Sequence, residues 1–145
     1  MKKRLFYLLI ILLLIAQFKR IDKTNPTSEP QEDFFAVVDA PEEIEDVIKT
    51  SCYDCHSYES EYPWYSNVAP VSWWLADHIT EGREHLNFST WAQLDEGKRD
   101  HKLEECFEMV EGKEMPMLPY MIAHRDAWLS QEDRDRLAAF FSSLR

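Results

Sequence analysis

At 145 residues, with 27 acidic and 16 basic side chains and a formal net charge of −11, the chain has room for one domain. Residues 24–145 hold 26 of the acids and only ten of the bases, a balance that repels phosphate backbones and excludes a nucleic-acid partner. Three cysteines, an odd number, do not make a disulfide framework, and Leu, Ala, Glu, Lys and Arg dominate after residue 70, so the fold class read from composition is all-α.

The chain opens on MKKRLFYLLIILLLIAQFKR, three basic residues followed by an apolar run from Leu5. This is the pattern of an export segment. No small-residue cleavage site follows the run, so the expectation is an uncleaved signal-anchor; a cleaved signal would export the domain equally. The 17 residues from Leu5 to Ile21 would make about 26 Å of helix, close to a bilayer core of about 30 Å, with Lys19 and Arg20 snorkelling to the interface. The sequence thus predicts a single-pass inner-membrane protein whose domain faces the periplasm. Residues 1–23 are read as this segment. TNPTSEPQED, residues 24–33, has two prolines and no apolar side chain and reads as a solvated linker. Residues 34–145 form the domain.

Pro41 with acids after it, and a stripe of Ile44, Val47 and Ile48, predict a helix running into Cys52. Residues 57–70 carry two prolines and many aromatics and read as a loop. PVSWWLADHITEGR predicts a second helix, NFSTWAQL restarts one with Asn87 or Ser89 as cap, and KRDHKLEECFEMVEG continues helically until Gly112. KEMPMLPYM cannot be helical throughout because Pro116 and Pro119 lack donors. A last helix starts at Ser130, with Asp133 at capping-box spacing.

The chemistry lies in Cys52-Tyr53-Asp54-Cys55-His56. A redox dithiol requires a strand before the first cysteine, and none is predicted. A zinc site could recruit His101 and Cys106, but five residues on a helix place them about 140° apart, and Cys106 belongs to the apolar stripe of Leu103, Phe107 and Val110. Covalent haem attachment accounts for more. Two thiols at i and i+3 meet two vinyl groups, the next imidazole reaches iron, and the reaction takes place outside the cytoplasm, as the N-terminus predicts.

A sixth ligand is expected from the proline loop, at Met115 with Met117 as its substitute; the bland alternative is that both only fill the core. Of the remaining histidines, His124 is the best candidate for a bis-His site, while His78 reads as a core residue and His85 and His101 as solvated. The Pro70 carbonyl is the expected acceptor for the second N–H of His56. Trp64, Trp73, Trp74 and Tyr120 are candidate pocket walls.

CYDCHSYESEYPWYSNVAPVSWWLADHITEGREHLNFSTW, followed by EMPMLPYMIAH and LSQEDRDRLAAFF, resembles the small bacterial haem-binding-domain proteins related to cytochrome c. The resemblance covers about residues 34–145, and QFKRIDKTN looks like that family's junction between anchor and domain. It implies one covalent haem c through Cys52 and Cys55, His56 as proximal ligand, Met115 as distal ligand, and a class-I-like helical domain behind a single N-terminal apolar helix.

The reading is therefore a membrane-tethered monohaem c-type cytochrome. It is expected to be an electron carrier rather than an enzyme, compatible with weak peroxidase activity, and to exchange single electrons with redox partner proteins. The alternatives are a haem-based sensor or small-ligand binder with an open sixth position, and a zinc-stapled interaction module.

Overall fold

The computed structural model describes all 145 residues, and it is helical throughout, with no strand. Seven α-helices follow in order: α1 Lys2–Ala16, α2 Phe34–Val37, α3 Glu42–His56, α4 Val71–His85, α5 Glu96–Glu111, α6 Leu118–Ala123 and α7 Gln131–Ser143. Short 3₁₀ turns lie at Pro30–Glu32, Trp64–Asn67, Phe88–Gln93 and Arg125–Ala127.

The helix starts follow local chemistry. Asp95 caps α5 by accepting from the Lys98 N–H at 2.9 Å. Ser130 and Asp133 close a reciprocal capping box at α7, as their spacing predicts. NFSTWAQL differs from expectation. Asn87 does cap it, but Thr90 leaves helical geometry and the segment becomes a 3₁₀ turn. Pro119 falls in the first turn of α6, where its missing N–H has no intrahelical partner to lose, so part of the proline loop becomes helix after all.

The core is built where α5 and α7 pack together, with Leu103, Cys106 and Val110 of α5 in one buried cluster with Leu137 and Phe141 of α7. Phe34 is fully buried and meets Phe88 and Trp91 edge-on, with centroids 5.2 and 4.9 Å apart. These three aromatics fasten α2 to the 88–93 turn. α4 lies against α3 and brings the chain back to the cysteine motif.

The N-terminal segment requires a correction. α1 has 15 residues, about 22 Å, and none of them is buried. No helix of the protein is long and apolar enough to cross a membrane, which overturns the single-pass inner-membrane placement and the anchor on which it rested. The cause is local. The count from Leu5 to Ile21 included residues 17–21, and these leave the helix. Gln17 caps the helix, the N–H groups of Gln17, Phe18 and Lys19 close it with i to i−3 bonds to Leu14, Ile15 and Ala16, and the Gln17 side-chain amide pairs with the backbone of Ala69. Residues 24–33 also lie closer to the domain than a solvated linker would. Asn25 donates to the Ser60 carbonyl at 2.9 Å, and Asp33 accepts from the Tyr53 hydroxyl at 3.0 Å.

Candidate functional site

α3 delivers the cysteine motif at its last turn, with His56 as the final helical residue and Ser57 as its cap. Cys52 and Cys55, three apart, sit one above the other. Cys52 packs against the hydrophobic core and Cys55 lines an apolar cleft. Burial pushes both thiols up, Cys52 to about 12 and Cys55 to about 11, even though each side chain keeps some accessible surface.

His56 is held at one ring nitrogen. Its Nδ1 lies 2.9 Å from the Gly82 carbonyl oxygen and 3.1 Å from that of Leu86. Carbonyls only accept, so Nδ1 carries the proton and Nε2 keeps its lone pair. Burial lowers the pKa of this imidazole, with the two carbonyls opposing that effect in part, so the ring is neutral at pH 7. A neutral imidazole with Nδ1–H fixed and Nε2 free is the form that binds a metal.

The acceptor expected at Pro70 is thus corrected to Gly82 and Leu86. Pro70 is the N-cap that precedes α4, and its carbonyl accepts from the N–H groups of both Trp73 and Trp74. It is the far end of α4 that meets His56: the Gly82 carbonyl accepts from the Leu86 N–H at 2.9 Å and takes the imidazole proton on its second lone pair, and the Leu86 carbonyl lies just past the last helical residue. Gly82 is required for that meeting. A Cβ on it would stand 2.7 Å from the Cys55 carbonyl oxygen, so only glycine lets α4 come this close to α3. Sequence reasoning missed this residue, because the signal, a lone glycine inside a helical pattern, is also what a tolerated defect looks like.

The cleft beside Cys55 has a volume of about 260 Å³ and is walled by Val71, Trp74 and Leu75 of α4, Tyr65, and Met117, Pro119 and Tyr120 around α6. Met117 therefore shares a cavity with Cys55. Met115 is not among its walls; its carbonyl accepts from buried Arg134 at 2.7 Å and its N–H donates to the Met109 carbonyl. His78, read as a core residue, instead lines this cleft, with Nδ1 2.9 Å from the Trp74 carbonyl. His124 is 2.6 Å from the Tyr65 hydroxyl and stacks on Tyr120. Of the expected aromatic walls, Trp74 and Tyr120 are present, while Trp64 and Trp73 are not among them.

A larger cleft of about 440 Å³ adjoins the first through Tyr120, but Asp54, Glu59, Glu61 and Asp126 line it. Its carboxylates would repel an anionic group and it offers no thiol or thioether. The apolar cleft is the better fit for a flat hydrophobic cofactor. It has aromatic and aliphatic walls, a thiol and a thioether, and His56 follows Cys55 directly. The zinc alternative fails on geometry. His101 is exposed and lies 3.4 Å from Glu105, Cys106 is buried in the core, and no three His, Cys, Asp or Glu side chains converge.

Residues 11–143 match the haem-binding domain family along nearly the whole chain. The chain belongs to the haem-binding domain family. Haem is accordingly its cofactor, and the apolar cleft with the adjoining cysteine motif is where the residues of this haem-binding domain suit it. No curated protein and no solved structure matches the chain.

Proposed function

We propose that this haem-binding domain carries one haem c, joined covalently through Cys52 and Cys55 with His56 as an iron ligand, and passes single electrons between redox partners. The observation that carries the reading is the His56 ring, locked by two carbonyls with its other nitrogen free, at the end of the helix that presents two thiols one turn apart. When bound, haem supplies reversible one-electron exchange at its iron.

The chain's own residues do the rest. Cys52 and Cys55 would hold the haem through thioether links to its two vinyl groups, an addition that needs no oxidant. Their raised pKa values keep the thiols protonated and slow to oxidise before attachment. Trp74, Leu75, Val71 and Tyr65, which line the cleft, would exclude water from a haem bound there. Met117, on the wall of the cleft that Cys55 lines, would supply a thioether ligand to the iron, and such a ligand would raise the reduction potential relative to a nitrogen or oxygen ligand. A strongly acidic surface suits a basic redox partner. The role is that of a carrier, not an enzyme.

A pyridine haemochrome spectrum after acid–acetone extraction tests the reading, on chain made with c-type maturation machinery. Haem retained by the wild type and released from the Cys52→Ala/Cys55→Ala variant supports it. Haem that extracts freely from the wild type overturns the covalent assignment.

The second reading is a haem-based sensor or small-ligand binder. It is favoured by one observation, that Met115, the sixth ligand expected from the sequence, is not on the cleft wall. It predicts that carbon monoxide binds the reduced protein at once, without first displacing a slow internal ligand.

A further inference from the structure

The residues between α1 and the first 3₁₀ turn lie along the loop that follows the cysteine motif. Gln17 uses both ends of its amide on Ala69, donating to the carbonyl and accepting from the N–H, each at 3.0 Å. The Lys19 carbonyl accepts from Trp73 Nε1 at 2.9 Å. Arg20 donates to the Asn67 carbonyl and Lys23 to the Asn67 side chain, both at 2.6 Å. Asn25 donates to the Ser60 carbonyl and accepts from Arg83, both at 2.9 Å. The family match begins at residue 11 and takes in this whole segment.

Arg83 joins the segment to the site. Its Nε donates to the Ser57 carbonyl at 2.7 Å, one residue past His56. One terminal nitrogen donates to both Asn25 Oδ1 and Ser60 Oγ, and Ser60 Oγ in turn donates to the Asp54 carbonyl at 2.5 Å. All three acceptors of the guanidinium are neutral oxygens. The charge sits at the C-terminal end of α3, where the helix dipole is negative. Arg83 also directly follows Gly82, whose carbonyl takes the His56 proton. Two consecutive residues of α4 thus hold the imidazole and the peptide behind it, and Asn25 holds the second of them.

We infer that Asn25 and Arg83 are positioning residues for His56, which makes segment 17–25 part of the haem site and not a spacer leading to it. The inference rests on the assignment of His56 as the iron ligand. Arginine is needed because three acceptors in different directions match a planar fork, which a lysine ammonium on a flexible stem does not reproduce. Asn25 is needed for its oxygen, which fixes the outer side of the fork.

The test uses the full-length chain, haem-free and nitrogen-15 labelled, and reads the solvent exchange of the His56 Nδ1 proton against the Leu137 amide in the core. Asn25→Ala and Arg83→Lys are each expected to speed exchange at His56 by about tenfold, the effect of losing one charge-assisted hydrogen bond, and to leave Leu137 within about twofold. Asn25→Asp keeps the Oδ1 acceptor and is expected to restore most of the protection. Gln17→Ala, a milder release of the same segment, is expected to give a smaller rise and covers the case of a variant that does not fold. Wild-type exchange at His56 in Asn25→Ala, or an equal rise at Leu137, overturns the inference. In the loaded chain the same variants should shift the reduction potential. If wild-type haem proves extractable, the function assignment fails while the haem-free measurement still decides the positioning role.

Discussion

Gly82 faces Cys55 so closely that a single added methyl group would lie 2.7 Å from the Cys55 carbonyl oxygen. That obstacle is backbone on both sides, so neither partner can rotate out of the way. Gly82→Ala should therefore push α4 from α3, stretch the Gly82–His56 hydrogen bond and cost about 1–3 kcal/mol, in the range of overpacked cores. Urea unfolding of the haem-free chain measures the loss, and haem retention after maturation measures its effect on the site. An alanine variant with wild-type stability and full haem content would show that the helices have slack here.

The buried imidazole makes stability depend on acid. His56 has its pKa lowered by burial, so below its ordinary value of about 6.5 the unfolded chain binds a proton that the folded chain refuses. Stability is fully present above that value and falls as pH drops from there toward the lower folded pKa, by at most about 1.4 kcal/mol per pH unit. His56→Asn removes the titrating group. Unfolding curves between pH 7.5 and 4.5, about one unit apart, should be steeper in their pH dependence for the wild type than for this variant. Equal slopes would mean that His56 is solvated in the folded state.

The thiols give the opposite dependence. Their folded pKa values lie above the ordinary thiol value, so the haem-free chain is stabilised by neutral thiols below about pH 9 and loses that contribution as pH rises through about 11 for Cys55 and about 12 for Cys52. Near pH 8 alkylation should be slowed by about a hundredfold at Cys55 and a thousandfold at Cys52 relative to a free peptide thiol, following the thiolate fraction. Cys52→Ala/Cys55→Ala should flatten the alkaline limb. Rapid labelling of Cys52 in the folded chain would contradict its packing against the core.

The sequence carried the helices well wherever local rules decide them. The capping box at Ser130, the acids after Pro41 and the stripe around Leu103 each name an element without reference to the rest of the chain. It also carried the cysteine motif, because thiol spacing and the adjacent imidazole are chemical facts of the chain itself. What it did not carry depends on which end of one helix meets which end of another. Pro70 lies at the start of α4 and Gly82 near its end, and only the packing of α4 on α3 selects the latter for His56. The apolar N-terminus misled for the same reason. Counting residues to Ile21 assumed a continuous helix, and the Gln17–Ala69 pairing that ends it spans 52 positions. Choosing between Met115 and Met117 likewise turns on Arg134, which is 19 residues beyond Met115 and is buried where a charged side chain is rarely found.

Arg134 settles which methionine faces the cleft, and that can be checked. Its guanidinium donates to the carbonyls of Met115 and Val110, at 2.7 and 3.2 Å, and lies 3.8 Å from the Met121 sulfur. Met115 is tied down by its backbone, and Met117, two residues on, lines the cavity with Cys55. Met117→Leu keeps the volume and removes the sulfur, so it should abolish the long-wavelength absorbance of a thioether bound to ferric iron and lower the reduction potential. Met115→Leu should leave that band in place. Arg134→Met should cost about 1–3 kcal/mol, because it strands the Met115 carbonyl in the interior, and should weaken the band by loosening the run that holds Met117. A band lost in Met115→Leu and kept in Met117→Leu would reverse the assignment and mean that the loop rearranges when haem binds.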